Sequence, residues 1–220
     1  MDVSKALAAR RSVRAFTSEA LPDGLLVNLL EKATRAPSGG NLQPWHVAVL
    51  ESNAMARFRE MMEPRIENGT VDTPEYPVYP PNLHEPYRSR RFAVGEAMYA
   101  RLGIPRDDKP ARLAWFANNA RFFGAPAAVF VFADRAMGAA QWSDIGMFMQ
   151  SFMLLAVEAG LATCPQEYWS VHHEAVTTFC ETPPELMLFS GIAVGYEDAA
   201  HPVNALKTDR APRDEWLKVL

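Results

Sequence analysis

The sequence predicts one globular domain of the α/β or α+β class, in which helices cover a central sheet. Two observations predict it. Helical segments alternate along the chain with three or four short apolar strands, and 220 residues with 49% hydrophobic content suffice for one sizeable core. The order of the strands is not readable from this pattern. The formal net charge of −4 argues against a nucleic-acid-binding protein, which usually has a basic surface.

The first third of the chain alternates helix and strand. A short helix is predicted over residues 2–9 and a longer one within 22–36, with Pro22 in its favoured first turn. The longer helix has one apolar face, formed by Leu25, Leu26, Leu29, Leu30 and Ala33. Alternating β-branched residues predict a strand over 45–51, and a further helix is expected over 53–64.

Residues 66–92 are predicted to form an excursion from the sandwich that is rich in proline and tyrosine. Five prolines from Pro74 to Pro86 exclude a regular helix in that part. Long loops inside compact domains are often lids over a site, but they are also often plain surface segments. Both interpretations are open, and the lid is the one that we carry forward as an expectation.

The other predicted helices and strands lie between residues 87 and 196. Helices are expected over 87–102 and 107–122, and buried strands over 125–134 and 186–196. Segment 142–160 is apolar on most faces, which predicts a helix at the centre of the fold and enough apolar surface for an interface between subunits.

The protein is expected to work in the cytoplasm. Its two cysteines, Cys164 and Cys180, do not form a CxxC pair, so a disulfide framework is not expected. The N-terminus lacks the apolar core of a secretory signal. No apolar stretch approaches the ~20 residues that span a bilayer. The polar tail, 197–220, is expected to extend over the surface.

Four short motifs carry residues suited to chemistry, and the first is RRSVRAF. Arg10, Arg11 and Arg14 surround Ser12 in this motif. Guanidinium groups match phosphate oxygens bidentately, so the motif indicates an anion site. A solvated basic turn is the alternative.

The second motif is RAPSGGNLQPW, residues 35–45. Gly39 and Gly40 would suit a left-handed helix cap, which is the plain interpretation. A cap does not need the carboxamides of Asn41 and Gln43, which can recognise the edge of a heterocycle.

The third motif is GLATCPQEYW, residues 160–169, and its plain interpretation is a helix-to-strand loop. The fourth motif, NALKTDRAP, adds positive charge in the tail. The sequence contains no GxGxxG, P-loop, HExxH or GxSxG pattern, and no metal site is predicted.

These four motifs, in this order, resemble the nitroreductase family of flavin enzymes over essentially the whole chain. The QEYW variant and the segments PEYP and EPYRSRR are similar to its nitrobenzoate-reductase branch. The resemblance implies a single domain over 1–220 with an α+β fold, a three-layer α/β/α sandwich around a mixed, mostly antiparallel sheet. It also implies an intertwined homodimer with FMN at each of two subunit interfaces.

The resemblance implies a role for each motif. Cations and a hydroxyl would hold the FMN phosphate and ribityl chain: Arg10, Arg11, Ser12, and Lys207 or Arg210. Arg14 would lie near the pyrimidine edge. The partner subunit would cover the other flank with Pro37, Ser38 and Asn41. The ring would be lined by Pro165, Gln166, Glu167 and Asn119, and the backbone N–H of Glu167 would face flavin N5.

The resemblance also implies the activity. NAD(P)H would reduce FMN transiently, and the reduced flavin would reduce a nitroaromatic, nitrobenzoate-like acceptor by a ping-pong mechanism. Flavin N5 would exchange the hydride, so no catalytic side chain is named. Aromatic walls and a cation for the acceptor are expected from Tyr79, Tyr87, Arg88 and Arg91. Two alternatives are open: a flavin reductase acting on quinones, enones or halogenated compounds, and a non-catalytic FMN-binding protein.

Overall fold

A four-stranded sheet forms the centre of the protein in the computed structural model, which describes residues 1–220. The strands are β1 (Trp45–Leu50), β2 (Ala127–Asp134), β3 (Ala162–Gln166) and β4 (Leu186–Gly195), in the spatial order β1–β2–β4–β3. Every neighbouring pair is antiparallel, and one isolated bridge, between Ser12 and Thr163, is parallel. The mostly antiparallel α+β fold is therefore confirmed.

Helices cover both faces of this sheet. They are α1 (Val3–Ala9), α2 (Leu25–Ala33), α3 (Ser52–Glu67), α4 (Tyr87–Arg101), α5 (Lys109–Phe116), α6 (Ala139–Glu158) and α7 (His173–Phe179). Successive side chains of a strand point to opposite faces. In β2, Phe130 therefore packs in the cluster that contains Phe58 of α3, while Val131 packs in the cluster that contains Phe152 of α6. The result is the three-layer arrangement.

Three boundaries differ from the sequence prediction. The helix expected over 107–122 ends at Phe116 and gives way to a 3-10 turn at Ala117–Asn119. Phe122 and Phe123, with φ of 52° and 54°, cannot belong to an α-helix. Pro22 is not in a first helical turn: α2 begins at Leu25, after Gly24 with φ 72°. The central apolar helix begins at Ala139 and ends at Glu158.

The third motif is a strand and not a plain loop. Its residues 162–166 form β3, which pairs with β4 along its length, and Cys164 and Gln166 are buried. Pro165 has no N–H for a strand ladder, yet it is tolerated because β3 lies at the edge of the sheet. Residues Glu167–His172 then form a 3-10 turn.

The first part of the excursion is docked on the domain. Asp72 accepts hydrogen bonds from Arg65 at 2.5 Å and from the Glu174 backbone at 2.9 Å, and the Tyr76 hydroxyl donates to the Phe189 carbonyl. Residues 72–76 therefore form a fixed base. No helix of the chain combines the length and the apolar character that a membrane span requires.

A close contact in β4 leads to a stability prediction. A Cβ at Gly191 would meet the fully buried Trp169 indole, with its Nε1 at 2.7 Å, and Phe130 Cε1 at 3.2 Å. Gly191→Ala should therefore lower the free energy of unfolding by ~1–3 kcal/mol through overpacking. Urea unfolding at one fixed protein concentration measures it.

The same substitution at Gly95 is the matched control. This glycine lies inside α4, and nothing stands within 4 Å of the added Cβ. Gly95→Ala should raise the free energy of unfolding by ~0.5–1 kcal/mol through helix propensity. Equal effects of the two substitutions would contradict the packing argument.

Buried His172 gives a prediction about pH. Its Nε2 is hydrogen-bonded to the Tyr168 hydroxyl at 2.7 Å, while its Nδ1 is buried without a partner. Burial and, to a lesser degree, the Arg65 charge lower the pKa of His172 from 6.5 to about 4. Unfolded chains therefore bind this proton at higher pH than folded ones. The free energy of unfolding should fall as the pH decreases from about 6.5 to about 4.

His172→Gln isolates this contribution, because glutamine can still bond to the Tyr168 hydroxyl but does not titrate. Urea unfolding across that pH range should give a shallower dependence for the variant than for the wild type. Identical pH dependences would show that His172 does not titrate as described.

Candidate functional site

The basic N-terminal segment lies along the outer edge of β3. Val13 donates its backbone N–H to the Thr163 carbonyl at 3.0 Å, and Ser12 bridges Thr163. Residues 10–14 therefore run beside the strand that ends at Gln166. Two motifs that are 150 residues apart in the chain meet in this way.

The tail joins the same place through a residue that the sequence analysis missed. Asn204, which is 5% exposed, donates to the carbonyls of Ala15 and Asp198 and accepts from the Arg14 backbone at 2.9 Å. Asn204 is the first residue of the NALKTDRAP motif, but no pattern marks it as more than one polar residue of the tail. Its importance follows only from its burial against the basic segment.

The arginines of the first motif differ in what they contact. Arg11 forms a bidentate ion pair with Glu197, at 2.5 and 2.6 Å, and donates to the Asn204 carbonyl at 3.3 Å. Its guanidinium is therefore paired with a carboxylate within the chain. The Arg10 backbone N–H donates to the Ala6 carbonyl, but its guanidinium makes no hydrogen bond or ion pair in the chain, so its charge is free for an anion.

Arg14 lines a cavity of about 480 Å³ on the inner side of the segment. Further lining residues include Arg59, Asn118 and Arg121. Arg121 is paired with Glu63, and Arg59 donates to the Ala125 carbonyl at 2.5 Å. The Arg14 side chain donates only to the Ser12 carbonyl, at 3.4 Å. Arg14 and Arg59 are therefore the guanidinium groups of this cavity that have no carboxylate partner.

Asn119, expected to contact the flavin ring, is hydrogen-bonded to its neighbours in the chain. Its amide donates to the Phe116 carbonyl at 2.9 Å, and its own carbonyl and side-chain oxygens accept from Gln166 Nε2 at 2.8 and 3.3 Å. The Gln166 side chain is itself buried and accepts from Trp169. Both side chains are therefore bonded internally, and the neighbouring Asn118 is the asparagine that lines the cavity.

Glu167 begins the 3-10 turn that follows Pro165 and Gln166. The first N–H groups of a helical turn have no acceptor within it, so this N–H is oriented for an outside acceptor. The carboxyl makes no hydrogen bond or ion pair, and burial raises its pKa. Burial, then the nearby Glu167 and Glu75 carboxyls, raises the pKa of Tyr76 to about 12. The base of the excursion therefore lies close to this turn.

The glycine loop has an unusual backbone. Gly40, Asn41 and Gln43 have φ of 58°, 58° and 51°, and Ser38 Oγ accepts from the Gln43 backbone at 3.0 Å. The loop is not a simple cap, since α2 ends at Ala33. No hydrogen bond or ion pair joins Pro37, Ser38 or Asn41 to segment 10–14 within the chain. The side chain of Asn41 is exposed.

The other predicted residues lie on the surface. Arg210 donates to Thr208 and Asp209 of its own tail, and Lys207 has no partner. Both cations are exposed and follow the buried Asn204 within a few residues.

The outer part of the excursion holds the residues expected to contact an acceptor. Arg88 is paired with Glu85, and the Tyr87 ring packs edge-on against His84 at 5.3 Å. Arg91 stacks over the Tyr79 ring at 4.1 Å and has no carboxylate partner. Among these arginines, Arg91 is therefore the one whose charge is not already neutralised.

Known proteins resemble this chain over its whole length. It is 34% identical to a 4-nitrobenzoate reductase of Nocardioides sp. (strain LMS-CY) over 219 residues, which covers 96% of this chain and 87% of that protein. It is 32% identical to a nitrobenzene nitroreductase of Ectopseudomonas oleovorans over 212 residues, covering 94% and 92% of the two chains.

Two solved structures have the same fold. One is the FMN and NADPH-dependent nitroreductase NfnB from Sphigopyxis sp. strain HMH, with a TM-score of 0.96, 46% identity and coverage of 100% and 99% of the two chains. The other is the FMN-dependent nitroreductase NfnB from Mycobacterium smegmatis in complex with NADPH, with a TM-score of 0.92, 30% identity and 100% coverage of both.

The family model described as the Nitroreductase family matches residues 7–196, which include the basic segment, the glycine loop, most residues of the cavity and the turn at Glu167. The chain belongs to the nitroreductase family.

Proposed function

We propose that this protein is an FMN-dependent oxidoreductase that takes electrons from NAD(P)H and reduces nitroaromatic compounds, with nitrobenzoates as the acceptor class. The observation that carries the proposal is the bridge between Ser12 and Thr163, which aligns the basic segment with the strand that leads to Glu167. The names of the relatives and of the two NfnB structures support the same reaction.

The side chains fit the polar groups of FMN. The free guanidinium of Arg10, the Ser12 hydroxyl and the exposed Lys207 would hold the phosphate. Arg11 instead anchors the tail through Glu197 and Asn204. Asn118 and Arg14 offer donors, and Asn118 also an acceptor, for the alternating carbonyl and N–H groups of a pyrimidine edge.

These residues would prepare the site for electron transfer. Bound FMN supplies the hydride exchange, and the protein binds and orients the reactants. A fixed positive charge at Arg14 stabilises negative charge that develops on the pyrimidine ring during reduction. The N–H of Glu167 would donate to a ring nitrogen, and Pro165, which has no N–H, offers an apolar wall beside it.

A homodimer in the cytoplasm completes the proposal. In the single chain, nothing links the loop residues Ser38 and Asn41 to the basic segment, although all of them are proposed to contact the cofactor. A loop donated by a second copy would resolve this separation. Large apolar side chains left exposed near the loop, including Leu42 at 54% and Met147 at 39%, support such an interface.

The outer excursion is proposed to act as a lid over the acceptor. Its base at 72–76 is fixed, so closure would involve residues 77–86 and the start of α4. Tyr79 and Tyr87 would form the aromatic walls. Arg91, whose charge is not neutralised, would bind a carboxylate on the acceptor, with Arg88 close by.

The activity is tested by a half-reaction cycle without oxygen. The purified protein should be yellow, NADPH or NADH should bleach it, and 4-nitrobenzoate should restore the colour in a separate step. Stopped-flow absorbance measures both steps, and parallel lines in steady-state kinetics would indicate the ping-pong order.

The same experiment separates the alternatives. A protein that is yellow but is not bleached by either nicotinamide is an FMN-binding protein and not a reductase. A protein that bleaches but regains its colour with quinones and not with nitrobenzoates has another acceptor class.

The proposed phosphate site is tested by Arg10→Ala. Loss of one charge-assisted contact should weaken FMN binding by ~1.5–3 kcal/mol, measured by the quenching of flavin fluorescence on titration. Arg57→Ala is the control, because Arg57 lies on α3 and contacts the Phe179 ring. An unchanged FMN affinity in Arg10→Ala would remove Arg10 from the phosphate site.

A further inference from the structure

The glycine loop is anchored to the rest of the chain by one hydrogen bond. Residues 38–43 make several bonds among themselves, such as that from the Asn41 backbone to the Ser38 carbonyl at 3.0 Å. The bond that leaves the loop runs from the Gly39 backbone to Asp144 Oδ2 at 3.1 Å. The internal bonds close the loop on itself, and the bond to Asp144 is the hydrogen bond that ties it to the rest of the chain.

Asp144 is an unusual residue at its position. It is 5% exposed within the long apolar helix α6, and Gly39 is its one hydrogen-bond donor in the chain. Burial of a carboxylate is unfavourable unless it is hydrogen-bonded. An apolar residue would serve the packing of α6 better, so packing alone does not explain this aspartate.

A second contact fixes the other end of the loop on the same helix. Trp45 follows the loop and stacks on Phe148, with ring centroids 5.0 Å apart and planes 10° apart. Asp144 and Phe148 are four residues apart and therefore lie on one face of α6. The loop is thus held at two consecutive turns of the helix, by one polar and one aromatic contact.

The backbone of the loop makes such anchoring necessary. Gln43 adopts a left-handed conformation that is unfavourable for most residues with a Cβ, whereas the left-handed conformation of Asn41 is one that asparagine tolerates. Such conformations persist only where the surroundings hold them. Without the bond at Gly39, the loop would lose the contact that holds its strained part against α6.

We propose that Asp144 is a positioning residue for the cofactor: by accepting from Gly39, it fixes Ser38 and Asn41 where they contact FMN. The inference rests on the proposed function. Besides packing in the core, α6 would then fix the position of the loop that covers the flavin.

Paired substitutions remove the bond from either side. Asp144→Ala removes the acceptor, whereas Asp144→Asn keeps an acceptor oxygen. Gly39→Pro removes the donor, whereas Gly39→Ala keeps it. Proline fits this site, since Ser38 is extended (φ −146°, ψ 146°) and Gly39 is the first residue of a 3-10 turn. The added Cβ of alanine would be 3.9 Å from Asp144 Oδ2, an ordinary contact.

Flavin binding should report the loss of the bond. Asp144→Ala should bind FMN about tenfold more weakly than wild type, and Gly39→Pro about tenfold more weakly than Gly39→Ala. Asp144→Asn should retain most of the affinity. The visible circular dichroism of the bound flavin should change in the two bond-deficient variants. Ser143→Ala, on the exposed side of α6, should match wild type.

The double variant Gly39→Pro/Asp144→Ala decides between a specific and a general effect. One shared bond predicts a double variant no weaker in FMN binding than either single one. Fully additive losses would overturn the inference. So would an Asp144→Ala protein whose flavin affinity and dichroism equal those of Ser143→Ala. If Asp144→Ala does not fold, the comparison of Gly39→Pro with Gly39→Ala decides alone.

Failure of the proposed function is recognised separately. A wild-type protein that takes up no FMN overturns the proposed function and this inference together. A wild-type protein that takes up FMN, with bond-deficient variants that bind it equally well, overturns the inference alone.

Discussion

The antiparallel pairing of β2 with β4 is the constraint on which the rest of the structure depends. These strands form the interior of the sheet, and nearly all of their residues are buried, so both faces must be covered by helices. Because β4 is central, β3 can pair with its other side and become an edge. The edge position in turn leaves the outer side of β3 free for the basic segment. Without this order of strands, Ser12 would have no strand to bridge.

The candidate site is assembled at this edge from distant parts of the chain. The basic segment, the asparagine pair before β2, the turn after β3 and the tail residue Asn204 are far apart in sequence. Backbone hydrogen bonds at Val13 and Arg14 join three of them. The positions of the charged side chains are therefore determined by backbone pairing and not by attraction between the charges themselves.

Charge neutralisation then selects which arginines remain available. Arg11, Arg88 and Arg121 are each paired with a glutamate, and exposed pairs of this kind add little to stability. The main consequence of these pairs is that the three guanidinium groups are not available to an anionic ligand. Arg10 beside the strand edge, Arg14 in the cavity with Arg59, and Arg91 on the excursion have no carboxylate partner. A site for an anionic cofactor and an anionic acceptor needs such unpaired cations.

The sequence by itself determined the fold class, the positions of most helices and strands, and the four motifs, because periodicity and motif spacing are local properties. It did not determine that 162–166 is a strand, since a proline argues against one until an edge position is known. It could not show that Asn118 lines the cavity while Asn119 is bonded to Gln166, or that Arg11 is paired while the Arg10 guanidinium is not, because neighbours of the same type differ only in what they contact. Asn204 and Asp144 also carried no local signal. Tertiary structure alone decided these points, since burial and hydrogen-bond partners depend on residues that are remote in the chain.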